Sequence, residues 1–322
     1  MLTGARNYRA MNAPRSIRRI LVPVDGSEPA THAIDLSLRL AKHTGAEIVF
    51  CHCVDVAGAV AASSNPYMVT DVQSLVDALR EESKSLLASA SALASANGSA
   101  NTTLELAGPP VSAILEFLRD RNIDAVVIGT HGRRGVSRLF LGSTAEGVIR
   151  NANVPVFVVP PTARPAVDGA AAFTRIVVAL DDSEPAERAL ECALDVAEPG
   201  KTSVVLAHAV DVSRIYETAA FHNYDRGTAL ARASEAGRAL LARAATRAKD
   251  RDIAAETVVV EGGPSESMLE LARTRDADLI AIGTNGRRGL DKMLLGSVAE
   301  GVLRTAPVPV LVVRARAVTN EP

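Results

Sequence analysis

The chain repeats itself. Ile20-Leu-Val-Pro-Val-Asp25-Gly-Ser-Glu-Pro29-Ala recurs as Ile176-Val-Val-Ala-Leu-Asp181-Asp-Ser-Glu-Pro185-Ala, offset by 156 positions. Ile48-Val-Phe-Cys-His52-Cys-Val-Asp55 recurs as Val204-Val-Leu-Ala-His208-Ala-Val-Asp211 with the same offset. Gly129–Arg150 then recurs as Gly283–Arg304, offset by 154, with 14 of 22 positions identical. The order of segments is kept and the offset barely drifts, which describes a tandem duplication of one domain. So long a period is no solenoid repeat, and each copy must bury its own core. The length of 322 residues agrees, at roughly 150 residues per domain. The expected division is 18–160 for the first copy and 174–316 for the second. Between them, 161–173 is rich in Pro, Ala and Gly and aperiodic, and reads as a linker. Residues 1–17 carry three arginines and no acid, and have no counterpart before the second copy. They read as a disordered tail, with a start at Met11 or a short targeting segment as the other readings.

Within a copy, apolar runs of strand length alternate with helical patterns. Arg19–Val24 is a branched apolar run closed by Asp-Gly-Ser, expected to be a strand buried on both faces. Ser27 is placed to cap a helix with Pro29 in its first turn, and Gly45 stops it. A strand over Glu47–Val54, a long helix near Asp71–Ala96, a strand near Thr102–Leu106 and a helix near Val111–Arg121 follow. A strand over Ala125–Ile128, a Gly-rich loop, a helix over Ser143–Asn151 and a strand over Val154–Val159 complete the unit. Such alternation predicts an α/β fold with a five-stranded, parallel, doubly wound sheet in each copy. With the first and fourth strands as neighbours, their connections leave in opposite directions and open a crevice at the carboxyl ends, where open α/β sheets bind ligands. Asp25 and the loop from Gly129 fall there.

That loop reads Gly129-Thr-His-Gly132-Arg-Arg-Gly135 and runs on to Leu141-Gly142-Ser143; the second copy reads Gly283-Thr-Asn-Gly286-Arg-Arg-Gly289 and runs on to Leu295-Gly296-Ser297. Each is G-x2-G-x9-G-S. Gly129, lacking a Cβ, is expected to let a ligand approach the backbone closely. Gly142-Ser143 opens a helix whose free N–H groups and positive dipole end suit a phosphate. Arg133 and Arg134 add charge for a polyphosphate or merely solvate the loop. Asp25 is placed to accept hydrogen bonds from ribose hydroxyls. Together these parts describe a nucleotide site. A single loop of this kind is a weak signal, but the same spacing twice, each time between strand and helix, is not.

With these motifs in both copies, from Ile20 to Arg314, the chain resembles a tandem universal stress protein of the subgroup whose glycine loop binds ATP. The resemblance implies Rossmann-like domains of the adenine nucleotide alpha hydrolase-like type, with strand order 3-2-1-4-5. It implies ATP, with magnesium, at the switch point, and domains paired through their last strands. Carried over, the adenine and ribose contacts are Pro23, Asp25, Cys53, Ile128 and Gly129, and the phosphate contacts Gly132, Gly142, Ser143 and Thr144. The second copy matches with Ala179, Asp181, Ala209, Ile282, Gly283, Gly286, Gly296, Ser297 and Val298. Asp182 in place of Gly26 adds a negative charge, expected to weaken polyphosphate binding in copy two.

Other signals are discounted. Gly200-Lys-Thr202 resembles the end of a P-loop, but Asp195 stands where its first glycine belongs, and the triplet precedes a strand. No G-x-G-x-x-G fingerprint supports a dinucleotide dehydrogenase. In Cys51-His52-Cys53, strand alternation separates the cysteines from the histidine, and copy two has alanines there, so packing is favoured over metal binding. His52 and His208 share one position, which points to a structural or site-edge role. His131 aligns with Asn285 and cannot be an acid/base common to both copies. Asp181-Asp182 resembles part of a phospho-acceptor pocket, but copy one keeps only Asp25.

A net charge of −2 marks neither a nucleic-acid nor a membrane-surface binder, and no apolar run is long enough to span a bilayer. Three cysteines are too few for a disulfide framework and suit a reducing compartment, so a cytoplasmic protein is expected. The function expected is a nucleotide-dependent regulator of the stress response acting through protein partners. The alternative is a slow ATPase or autophosphorylating enzyme with Ser143 or Ser297 as acceptor. Phosphoryl transfer needs a positioned base, and none is legible, so no catalytic residue and no resident metal is assigned. Val154–Val159 and Val308–Val313 are apolar on both faces and need covering, which their mutual pairing supplies. Homodimerisation of whole chains is compatible with this.

Overall fold

A computed structural model describes residues 17–62, 72–130, 141–163, 171–213, 215–217, 225–284 and 295–315. Copy one runs β1 (Arg19–Pro23), α1 (Glu28–Thr44), β2 (Glu47–Val54), α2 (Val56–Ala62), α3 (Val72–Ala96), β3 (Asn101–Ala107), α4 (Pro110–Asp120), β4 (Ala125–Gly129), α5 (Ser143–Asn151) and β5 (Val156–Val159). Copy two runs β6 (Arg175–Ala179), α6 (Glu184–Asp195), β7 (Ser203–Val210), α7 (Arg226–Lys249), β8 (Ala254–Glu261), α8 (Pro264–Thr274), β9 (Leu279–Gly283), α9 (Ser297–Thr305) and β10 (Val310–Val313). Residues 1–16 of the expected tail lie outside the described residues, whereas Ile17 is buried.

Helix α1 begins and ends where the local chemistry dictates. The Ser27 hydroxyl accepts the Ala30 N–H, Pro29 fills the first turn, and Gly45 at φ 73° returns its N–H to the Ala41 carbonyl. Ser183 caps α6 in the same way. Helix α2 is not foreseen from the sequence. It is a short Val/Ala/Gly segment that buries no side chain, so it shows no apolar periodicity; Asp55 starts it by accepting the Gly58 N–H at 2.9 Å.

The strands form one ten-stranded sheet, ordered β3-β2-β1-β4-β5-β10-β9-β6-β7-β8. Each copy is therefore a parallel 3-2-1-4-5 sheet. Alternation along the strands splits the core between two faces. Ile20, Val22, Ile48 and Phe50 pack with α1 and α3, while Leu21, Val49 and Cys51 pack with α4 and α5. Copy two repeats this with α6 and α7 on one face and α8 and α9 on the other. Each fully buried large aliphatic side chain contributes about 1.5–3 kcal/mol, so the sheet's two faces carry most of the stability.

The copies join through their last strands. β5 and β10 are antiparallel, with Val158 opposite Val310 and Phe157 opposite Leu311. β5 starts at Val156, two residues later than the apolar run suggests, because Pro155 has no N–H to give; its carbonyl still accepts from Val126. At the described ends of the expected linker, Ala163, Ala171, Ala172 and Phe173 are buried. The Phe173 ring stacks on Phe157 with centroids 6.3 Å apart. Arg39 of α1 reaches across, donating from Nη1 to the Ala172 carbonyl at 3.0 Å and lying over the Phe173 ring. His43 Nδ1 stands 3.5 Å from the Glu198 carboxylate, and the Arg314 guanidinium donates to the carbonyl of Arg150 at the end of α5.

Candidate functional site

Strands β1 and β4 are adjacent and parallel, with Ile20 opposite Ala125 and Leu21 opposite Val126. Carried forward, this register brings Asp25 level with Thr130, just beyond Gly129. From there the chain leaves β1 into α1 on one face and leaves β4 towards α5 on the other, which is the expected switch point.

Asp25 is fixed locally. Its Oδ1 accepts from the Ser27 N–H at 3.0 Å and from the Ser27 hydroxyl at 2.6 Å. Asp181 does the same with Ser183, at 3.1 and 2.5 Å. One serine thus holds the carboxylate and caps the helix that follows.

The Gly-rich loop is closed at its base. Thr130 donates its N–H to Val159 of β5, and its carbonyl accepts the Gly142 N–H at 2.7 Å. Thr284 bonds to Val313 and Gly296 in the same pattern. Thr130 and Thr284 are buried. Sequence patterning does not single them out, although a Thr follows the first loop glycine in both copies. The bonds that close the loop run through the backbone, which residue type does not betray.

Helices α5 and α9 begin with N-caps Gly142 and Gly296 in extended geometry, and neither start has a side-chain cap. Ser143 and Ser297 are exposed there, and Thr144 and Val298 are half-buried. An uncapped helix start presents N–H groups and a partial positive charge, which suit an anion. Glu146 in the first turn of α5 is paired with Arg150 at 2.8 Å.

Packing by itself already requires the glycine that ends β4. A Cβ on Gly129 would lie 2.7 Å from the Pro29 carbonyl carbon and 2.9 Å from the Ala30 nitrogen. Gly283 meets Pro185 and Ala186 in the same way. The space that a side chain would need is filled by the start of the helix. Asp182 also departs from expectation. It sits at φ 66°, the left-handed conformation that Gly26 adopts at φ 77°, and Asp tolerates that region better than most residues. Its carboxylate lies 2.7 Å from Arg243 of α7, so the added charge is paired.

Pro23 and Ala179 end their strands half-buried. Ile128 and Ile282 are buried in the α5 and α9 side of the core, and Cys53 and Ala209 pack against the same side. Gly132, Gly286, Arg133, Arg134, His131 and Asn285 lie outside the described residues.

Burial disfavours the thiolate form of all three cysteines. Burial, with Asp55 nearby, pushes Cys53 to about 11, and burial pushes Cys192 to about 12 and Cys51 well above the ordinary thiol value. Among the described residues no group of three His, Cys, Asp or Glu side chains could hold a metal ion, and no helix is long and apolar enough to cross a membrane.

Comparison with known proteins places this arrangement. The model of the universal stress protein family matches residues 16–160 and again 172–314. A universal stress protein of Mycolicibacterium smegmatis is 29% identical over 303 residues, covering 92% of this chain and 97% of its own. One from Methanocaldococcus jannaschii is 33% identical over 150 residues, 46% of this chain and 85% of its own. The crystal structure of a universal stress protein from Archaeoglobus fulgidus superposes with a TM-score of 0.68 at 23% identity, over 93% of this chain and 99% of that one, and so shares the fold.

Proposed function

The chain belongs to the universal stress protein family, and from that premise we propose that it is an ATP-binding regulator with one adenine-nucleotide site in each copy. The observation that carries the reading is one arrangement built twice: an uncapped helix start, tied by the Thr130–Gly142 or Thr284–Gly296 bond to the strand end beside a fixed aspartate. In this reading the N–H groups of Ser143 and Thr144, and of Ser297 and Val298, hold phosphate oxygens, while Gly142 and Gly296, whose own N–H groups are held by Thr130 and Thr284, let the phosphate approach the helix start closely. Asp25 and Asp181 take ribose hydroxyls. Pro23, Cys53, Ile128 and Gly129 face the base and sugar in copy one; Ala179, Ala209, Ile282 and Gly283 do so in copy two. Gly132 and Gly286 add backbone donors. Magnesium supplies the remaining positive charge on the polyphosphate.

Turnover is slow in this reading. Phosphoryl transfer needs a base beside the nucleophile, and Oδ1 of the switch-point aspartate is already engaged by Ser27 or Ser183. Regulation then comes from occupancy, transmitted through the last strands that anchor both loops and join the copies. The count of three cysteines, too few for a disulfide framework, suits a reducing cytoplasm.

Titration calorimetry of the full chain with MgATP and MgGTP tests this. The expected result is two MgATP per chain and weaker MgGTP. No heat with MgATP overturns the reading, and phosphate release on the order of ten per second replaces the regulator with an enzyme.

A further inference from the structure

We propose that His52 and His208 are positioning residues of the two sites, each ring holding the carbonyl that precedes the site aspartate and so fixing the turn that carries it. The proposal rests on the nucleotide reading of those turns.

Strand β1 ends at Pro23. Val24 still donates its N–H to the Cys51 carbonyl at 2.8 Å, and its own carbonyl accepts from His52 Nδ1 at 2.6 Å. Leu180 is held identically, with its N–H on Ala207 at 2.8 Å and its carbonyl 2.7 Å from His208 Nδ1. A carbonyl can only accept, so Nδ1 carries the hydrogen, and the neutral ring is the Nδ1–H tautomer. Each residue before the aspartate is thus pinned at both backbone polar groups just as the chain leaves the sheet. The aspartate follows, and Ser27 or Ser183 pins its carboxylate from the other side. The carboxylate lies between a ring-held residue and a helix cap, with no slack in the turn.

The far edge of the ring is covered tightly. A Cβ on Gly237 of α7 would lie 2.6 Å from His208 Cδ2 and 3.4 Å from Nε2, so the helix lays bare backbone on the imidazole. The 154 offset that aligns Leu87, Ala90 and Ala94 with Leu241, Ala244 and Ala248 puts Ser83 at this place in copy one. Ser83 is fully buried, and its hydroxyl has no hydrogen-bond partner. By this alignment both copies keep a small residue at the position that covers the ring in copy two, even where that buries a hydroxyl at a cost. The neighbours of the histidine have diverged, Cys51 to Ala207 and Cys53 to Ala209, while the histidine has not. A site that needed only packing would be served by an apolar residue, but that would leave the carbonyl without its donor.

Full-length wild type, His52→Ala, His208→Ala and the matching Asn variants are titrated with MgATP. Backbone amide exchange is followed in the ligand-free proteins, and the ring tautomers of the wild type are read by nitrogen NMR. Each alanine variant weakens its own site about three- to tenfold, the size of one net hydrogen bond, and leaves the other site unchanged. Exchange rises over residues 24–30 or 180–186 alone. Asn, whose Nδ2 takes the place of Nδ1, restores affinity and protection, and both wild-type rings are Nδ1–H. Unchanged affinity and exchange, a rise across the whole copy without rescue by Asn, or an Nε2–H tautomer overturns the proposal. If the wild type takes up no MgATP, the nucleotide reading fails, and exchange and tautomer still decide the role of the histidines.

Discussion

Gly129 stands against Pro29 so closely that a β-carbon on it would lie 2.7 Å from the proline's own Cβ, and Gly283 stands against Pro185 at the same distance. This contact sets how near α1 comes to the end of β4. The atoms in the way are largely backbone, so they cannot swing aside. Gly129→Ala is expected to lower the stability of the ligand-free protein by about 1–3 kcal/mol, the usual cost of overpacking. Urea unfolding without nucleotide reads it, and a midpoint equal to wild type removes the packing role.

Because Gly129 is needed for packing, a cleaner probe of the anion end is Gly142→Asp. Gly142 has φ −63° and ψ 145°, which any N-cap residue adopts, and Asp is a preferred N-cap. The variant should be as stable as wild type, or a few tenths of a kcal/mol more so. Its carboxylate would nevertheless occupy and repel the phosphate position, so MgATP stoichiometry falls from two to one. A stable Gly142→Asp protein that still binds two MgATP takes the helix start out of the site.

Much of this could be read from the residues. The β2 span Glu47–Val54 and the α5 span Ser143–Asn151 match the sequence reading because a glycine, Gly45 or Gly142, stands just before each. Phe173 was not legible. It sits in an Ala-, Pro- and Gly-rich stretch that composition reads as spacer, and it stacks on Phe157 of β5, the strand that pairs with β10. Arg39 reads as a helix-surface arginine; that it lies over Phe173 follows from the same pairing. Long-range partners of this kind leave no local period.

Phe173→Ala should therefore cost more than a linker residue would. It removes a fully buried ring from the join between the copies, for which about 3–5 kcal/mol is typical. Scanning calorimetry reads the loss, and a melting temperature within a degree of wild type would exclude it.

Arg243 and Asp182 give a prediction about charge. The pair is exposed, so Arg243→Ala is expected to change stability by less than about 1 kcal/mol. It removes the Arg243 charge that faces Asp182 beside copy two's proposed site, and MgATP affinity there is expected to fall a few-fold, more at low salt than at high. Asp182→Ala instead keeps the left-handed backbone without an Asp to tolerate it, at a cost of about 1 kcal/mol. Equal salt dependence in Arg243→Ala and wild type would contradict the charge argument.

Asp195 gives the protein a pH dependence of definite sign. It ends α6 largely buried, and burial raises its carboxyl from 3.8 to about 6, against the opposing hydrogen bond and charge of Arg251, whose Nη1 lies 2.6 Å away. Raised above its unfolded value, the group binds a proton more readily in the folded chain. Its contribution is fully present below about pH 4 and is lost as pH rises through about 6. Between those limits the folded state loses on the order of 1–3 kcal/mol relative to a chain without the carboxyl. Asp195→Asn cannot titrate, so the stability of wild type minus that of the variant should fall as pH is raised from 4 to 7. Urea midpoints at intervals across that range measure the difference, and a difference that is flat or rises with pH rejects this assignment to Asp195.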